Sequence, residues 1–134
     1  MNQVDTALYS TLTGGTALTS LLATSTSVYH IRAPNVTTFP YVVFSLQGGG
    51  PENITPSDTW NTVYFIRAYS ASTATAASNI HTEIRKLLHK KTLTISGFTN
   101  FWSALETELE TAEENPDKTP IFMSGGLYRI RFDS

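Results

Sequence analysis

The 134-residue chain has no cysteine. Disulfides, thiolate metal sites and cysteine nucleophiles are excluded, and a reducing compartment fits this composition. An excess of positive charge is also missing. Nine Lys and Arg against 11 Asp and Glu leave −2 at pH 7 with a pI near 5.8, so general affinity for nucleic acid is not expected. Charge of either sign is scarce, at 15% of residues, and Ser and Thr supply much of the polar surface. Neutral hydroxyls lose less on desolvation than ions do, which suits a subunit packed between others. Apolar runs such as 41–46 are far shorter than the roughly 20 residues of a membrane span, and no membrane association is expected. The opening Met1-Asn2-Gln3-Val4-Asp5 has no basic stretch followed by an apolar one, which argues against a signal peptide and for synthesis in the cytoplasm.

What is present reads as one α+β domain over residues 1–134. Val4, Leu8 and Leu12, with Ala7 beside them, make one helical face, with Asp5 near the favourable N-terminus. Gly14-Gly15 ends that helix, and Thr16 is positioned to cap a second short one carrying Leu18, Leu21 and Leu22. From Val28 the period changes to two. A short strand runs from Val28 towards Ala33-Pro34, and Pro40 introduces a strand over 41–47 in which Val42, Phe44 and Leu46 alternate with Tyr41, Val43 and Ser45. Gly48-Gly49-Gly50-Pro51 is read as breaking it, with a polar loop to about Asp58. The strand over 59–70 is apolar on both faces near its end, as expected of a central strand covered on both sides, by its own helix or by a neighbour. Residues 72–91 form an amphipathic helix with Ala77, Ile80, Ile84, Leu87 and Leu88 in one arc.

The C-terminal third satisfies two templates. Phe101, Leu105 and Leu109 are spaced by four, which suits one face of a helix and equally one face of a strand. Ala, Leu and Glu content favours helix. The Asn115-Pro116-Asp117 turn signal and the strand-like 121–132 favour a long β-hairpin. The hairpin is the reading adopted here. In its second strand Tyr128, Ile130 and Phe132 face one way, and Arg129 and Arg131 the other. The expected architecture is a mainly antiparallel sheet packed against one long amphipathic helix, with short N-terminal helices and a C-terminal hairpin.

This order, with particular residues, resembles the tail completion (tail terminator) family of long-tailed phages. The matching pieces are Ala7-Leu8-Tyr9 with Leu12, the Val28-Tyr29 strand leading to Ala33-Pro34, and Phe39-Pro40-Tyr41-Val42-Val43-Phe44. To these add Arg67-Ala68-Tyr69-Ser70 before the Ala-rich helix start, and the closing Gly126-Leu127-Tyr128-Arg129-Ile130-Arg131-Phe132. Each piece is short, and the order and spacing carry the likeness. The family often has Trp where Tyr69 stands, and the stretch over 106–114 is unusually acidic. The resemblance implies a non-enzymatic virion assembly protein in a homo-oligomeric, hexameric ring at the head-proximal end of the tail. Its partners would be other copies of itself, the tail tube protein and the head connector or completion protein. DNA would pass through the channel without specific binding, and the protein would reside in the virion after assembly in the host cytoplasm. A head-completion or connector protein of the neck is the neighbouring reading. A small ligand-binding or enzymatic domain and a peptide-recruiting sheet edge are more distant ones.

Chemistry is thin. His30, His81 and His89 include no pair at the i, i+3 or i, i+4 spacing of helix-borne metal ligands. Gly48-Gly49-Gly50 has no Lys-Ser/Thr partner for a phosphate cradle, and no serine lies in a Gly-x-Ser-x-Gly elbow. Asn35-Val36-Thr37 and Asn53-Ile54-Thr55 match the glycosylation pattern but have no secretory signal to accompany them. No catalytic residue, cofactor or metal is assigned, and Arg85, Lys86, Lys90 and Lys91 read as a solvated helix face. Two sets remain as candidates. On a strand, Glu106, Glu108 and Glu110 share one face, which either guards an edge by charge or lines a channel through which DNA slides. The loop with Gln47, Gly48, Gly49, Gly50, Pro51, Glu52, Asn53 and Asp58 is a candidate contact with the tube or the next subunit.

Overall fold

The computed structural model describes residues 2–32, 38–52, 59–114 and 120–133. Helices α1 (Asn2–Thr13) and α2 (Thr16–Thr19) precede strands β1 (Val28–His30), β2 (Tyr41–Pro51) and β3 (Thr59–Ser70). Helix α3 (Ala74–Leu88) follows, then β4 (Thr94–Ile95), β5 (Phe98–Glu114) and β6 (Pro120–Asp133). The six strands form one sheet in the order β1-β2-β3-β6-β5-β4. Every described pairing is antiparallel except β1 with β2.

The helices bury the stripes that their periodicity marks. In α1, Val4, Ala7, Leu8 and Leu12 are all buried. In α3, Ala77, Ile80, His81, Ile84 and Leu88 are buried, while the hydroxyl of Thr73 accepts from the Ala76 N–H at 3.0 Å and caps the first turn. Gly15, not Thr16, is the N-cap of α2, and no side chain caps it. Leu18 and Leu22 are buried there, but Leu21 is 41% exposed.

Beneath the helices lies one apolar layer from the sheet. Val42 and Phe44 of β2, Tyr64, Ile66 and Ala68 of β3, and Tyr128, Ile130 and Phe132 of β6 join the helix stripes in a single core. The Tyr64 hydroxyl donates to Asp5 of α1 at 2.9 Å, and His30 Nε2 lies 3.4 Å from the same carboxylate. Burial and the Asp5 carboxylate together push the Tyr64 phenol well above its ordinary value. Asp5 thus ties α1 to the sheet, a role its place near a helix start does not reveal.

Helix α1 touches both β1 and β4, the two ends of the sheet order. Six strands spaced about 4.8 Å apart would put these ends roughly 24 Å apart in a flat sheet, and further along the diagonal that joins β1 to β4, whereas the 12 residues of α1 reach only about 18 Å end to end. The sheet therefore curls around α1. β1 lies against residues 42–44 and β4 against 98–99, at opposite ends of the strands, so diagonal corners are drawn together.

Two sequence readings are corrected here. The glycine run does not end β2. The strand continues through Pro51, with Gly48, Gly49, Gly50 and Pro51 opposite Val63, Thr62, Asn61 and Trp60, after a register shift that sets Gln47 out as the extra residue. Gly49, at φ 92°, occupies the left-handed region, and a Cβ there would fall 2.1 Å from the Asn61 carbonyl oxygen. Glycine is thus what lets the strand bulge and continue beside β3. The Glu52 N–H still donates to the Thr59 carbonyl at 2.7 Å. Of the expected loop, Asn53 and Asp58 lie outside the described residues.

The second correction concerns β5, which is a strand along its described length but carries two register shifts against β6, at Asn100/Trp102 and at Leu105/Thr107. Each bulge inserts one residue and reverses the alternation. Leu105, opposite Tyr128, packs on the core. Leu109, opposite Gly125, lies on the other face and is 36% exposed. The spacing of four between them therefore does not place them on one face.

Candidate assembly surface

Helices α1 and α3 pack on one face of the sheet, with α2 against them, and among the described residues nothing of this chain covers the opposite, outer face. That face is not polar. Alternate residues of β3, namely Val63, Phe65, Arg67 and Tyr69, stand on it half-buried, with Tyr41 beside Tyr69. The ring centroids of Tyr41 and Tyr69 are 5.2 Å apart, and Tyr29 and Phe39 approach Tyr41 at 6.0 and 4.9 Å. Across β6, Trp102 and Leu109 of β5 are 37% and 36% exposed. The two-sided apolar pattern of β3 thus divides: one face is covered by the chain's own helices, and the other has no cover among the described residues.

Cations are set into this apolar floor. The Arg67 guanidinium lies 4.8 Å from the Phe65 ring and 5.9 Å from that of Tyr69, a cation–π arrangement. Its Nε is buried without a hydrogen-bond partner among the described residues. A buried donor with no acceptor is costly, and a partner's carboxylate or carbonyl would relieve that cost.

The two candidate sets from the sequence meet on this face. Arg129 Nε donates to Glu106 at 2.8 Å and its Nη1 to Asn61 at 2.6 Å. Arg131 donates through Nε and Nη2 to one oxygen of Glu52, at 3.1 and 2.8 Å. Glu52, beyond β2, and Glu106, in β5, are thus held by neighbouring arginines of β6. Sequence alternation placed Arg129 and Arg131 opposite the core side chains correctly, but their partners are distant in sequence and left no local signal.

Glu108 and Glu110 do not join Glu106. The bulge sets them opposite Gly126 and Ser124, on the helix-side face, where their negative charge acts on His81 of α3. The acidic row is therefore split: Glu106 is paired on the outer face, and Glu108 and Glu110 stand exposed on the other.

His81 is buried at 4% exposure, with its Nε2 2.9 Å from the Tyr128 hydroxyl. Burial lowers its pKa below the ordinary 6.5, Glu108 and Glu110 oppose that shift, and Arg85 adds to it. Burial raises the Tyr128 phenol. A histidine whose folded pKa lies below its unfolded one lends stability that is complete above the unfolded value, and this is lost as pH falls through that value towards the folded one. Urea unfolding at pH 7.5 and pH 5.5 is expected to show lower stability at pH 5.5, and His81→Gln is expected to flatten that dependence. His89 sits at the end of α3, where its Nδ1 accepts from the Leu105 N–H at 3.0 Å. His30 lies at the Asp5 carboxylate. Among the described residues no three His, Asp or Glu side chains are grouped to hold a metal ion, and the three histidines sit in separate places.

A family model for tail completion protein gp17 matches residues 6–124. The chain belongs to that family. Its members are structural proteins of the phage virion, and the tail completion family is the one that the strand openings at Phe39-Pro40-Tyr41 and Gly126-Leu127-Tyr128 resemble. Among 22 solved chains that match this tail completion protein, one comes from a structure described as the virion of a native gene transfer agent particle. It is 16% identical, aligns with a TM-score of 0.75, and covers 98% of this chain and 95% of its own. At that identity the likeness establishes the fold. No curated protein matches.

Proposed function

We propose that this chain is one subunit of a closed hexameric ring at the head-proximal end of the phage tail. There it stops growth of the tail tube and supplies the surface on which the filled head docks. The observation that carries this reading is a sheet that, among the described residues, is covered on one side only, with an aromatic and arginine-bearing outer face on a chain of the tail completion family. Such a face buries apolar area and satisfies Arg67 when subunits or neighbouring tail and head proteins pack against it. The work is binding and templating, done by the chain as one unit from 1 to 134, and no bond is made or broken. Its partners are further copies of itself, the tube protein and a head completion protein. It assembles in the host cytoplasm and remains in the virion.

Within that ring, Glu108 and Glu110 line the channel. Phosphate attachment relies on Lys and Arg, so a wall bearing carboxylates lets DNA pass without sticking. Glu106, held by Arg129, contributes less to that wall. The segment with Gln47, Gly48, Gly49, Gly50, Pro51 and Glu52, together with Asn53 and Asp58, contacts the tube or the next subunit.

Deletion of the gene tests the reading directly. Tails of irregular length that fail to join filled heads are expected, and uniform tails joined normally to heads in its absence would overturn it. Glu108→Lys with Glu110→Lys is expected to leave joined particles intact yet slow DNA ejection. Unchanged ejection rates would remove the lining role alone.

A further inference from the structure

Among the described residues, the curled sheet leaves two open edges at diagonally opposite corners. On one side, β4 covers β5 only at residues 98–99, and a single bridge from Lys91 to Ser103 and the His89 ring at Leu105 continue that cover. From there to Glu114, β5 has no outward ladder among the described residues, although it pairs with β6 all along its inner side. On the other side, β1 covers β2 only at 42–44, and the Ile31 N–H adds one bond to the Phe44 carbonyl. Residues 46–51 of β2 likewise have no outward partner among the described residues, although they pair inward with β3.

Long open edges invite strand addition, and soluble proteins usually blunt them. Neither of these carries lysine. The β5 edge carries exposed Glu108 and Glu110, whereas 46–51 reads Leu-Gln-Gly-Gly-Gly-Pro with no charge. Two β5 edges brought together would set carboxylates against carboxylates, which is unfavourable across a strand pair. A β5 edge set against a β2 edge meets no such penalty. The charge pattern therefore disfavours a two-fold contact through β5, and the one contact that uses both edges is the head-to-tail one, the type that closes into rings.

The strand directions agree with this. β2 is antiparallel to β3, β3 to β6, and β6 to β5, so β2 and β5 of one chain run antiparallel to each other. A copy related by rotation about an axis near the strand direction keeps that sense. Its β2 then meets the first copy's β5 as an antiparallel pair. The open stretches lie at opposite ends of the strands, so neighbours must be offset along them. A closed sheet absorbs such an offset by tilting its strands to the axis, as barrels do.

We infer that the open edge of β5 beyond Leu105 pairs antiparallel with the open edge of β2 at 46–51 in the next copy of this chain, so that one sheet runs continuously around the ring. This rests on the ring reading above and specifies its subunit contact.

Because the chain has no cysteine, introduced cysteines report on this contact without background. Gly48→Cys or Gly50→Cys is combined in one chain with Thr107→Cys, Leu109→Cys or Thr111→Cys. The five positions share the outer face, and a Cβ at Gly48 or Gly50 meets nothing within 4 Å, so the fold tolerates the change. Particles assembled from each variant are oxidised mildly and run without reductant. At least one combination is expected to give a disulfide ladder extending past the dimer, while each single variant stays monomeric. Particles that incorporate every variant yet give no ladder in any combination would overturn edge pairing and leave the ring reading standing. Dimers from Leu109→Cys alone would overturn it too, since they mean β5 meets β5. A density map of the ring decides independently of the cysteines: the sheet either crosses the subunit boundary or stops there. Failure of the ring reading itself shows elsewhere, in the normal tails and joined heads of the deletion.

Discussion

Tyr64→Ala is expected to cost about 3–5 kcal/mol of stability, the range for removing a fully buried aromatic side chain. Tyr64 is 0% exposed, at the centre of the core between α1 and the sheet. A domain of this kind holds only about 5–15 kcal/mol in total, so the variant should lose much of its stability and melt roughly 10 °C lower or more. The loss has two parts. The larger is the cavity left in the core, and the smaller is the hydrogen bond from the phenol to Asp5. Tyr64→Phe separates them: it keeps the ring and removes only the donor, and should cost about 1–2 kcal/mol. Thermal and urea unfolding of the two variants beside the parent chain makes the check. Equal losses for Phe and Ala would mean that the Asp5 contact, not packing, holds α1 down.

Phe65→Lys, one residue further along the same strand, is expected to do the opposite. Phe65 faces outward and is half-buried, so its replacement should cost only about 1–2 kcal/mol of folding stability. The Lys stem retains part of the covered area. On assembly the outcome should be severe. The substitution removes the ring beneath the Arg67 guanidinium and adds a second positive charge beside the first on a face that the proposed assembly buries. Central aromatic residues of interfaces carry 2 kcal/mol or more, which corresponds to at least ~30-fold in affinity for each contact. Circular dichroism and melting should stay close to those of the parent chain, while incorporation into particles and infectious titre fall at least ~30-fold. A folded variant that still assembles at the parental level would show that the outer face is not where partners pack.

Neighbouring positions of β3 thus divide the two properties that sequence periodicity can reveal. Alternation in β3 and β6 was legible because each side chain's face follows from parity alone: Tyr64 and Tyr128 inward, Phe65 and Arg129 outward. The stripes of α1 and α3 were legible for the same reason, with a different period. The bulges were not. Whether β5 inserts an extra residue at Glu106 depends on how β6, with Gly125 and Gly126, packs against its neighbours, and nothing local to 101–110 encodes it. A Cβ at Gly125 would lie 2.3 Å from the Ile66 carbonyl oxygen, and one at Gly126 2.6 Å from that of Thr107. Those glycines let β6 sit unusually close to the strands on either side. Parity counted across a bulge gives the wrong face, so Glu106, Glu108 and Glu110 appeared to form one row and Phe101, Leu105 and Leu109 one stripe.

The glycine run in β2 misled for a related reason. Glycine lowers the intrinsic strand preference, and a break at 48–50 followed from local chemistry. The partner strand β3 supplies pairing that outweighs this preference, and the backbone freedom of Gly49 permits the bulge through which pairing resumes. The ion pairs of Glu52 with Arg131 and Glu106 with Arg129 were beyond reach in another sense: each joins residues far apart in the chain. They became visible only once the register of β5 and β6 was fixed.

The contact of α1 with both β1 and β4 sets an order of events during synthesis. Helix α1 leaves the ribosome before the sheet, yet one of its supports, Thr94–Ile95, is made only after β3 and α3. Until then Val4, Leu8 and Leu12 rest in a core made with β1, β2, β3 and the other helices, without β4 to complete it. Helix α1 is therefore made early and seated late, and the curl of the sheet closes only when its far strand arrives.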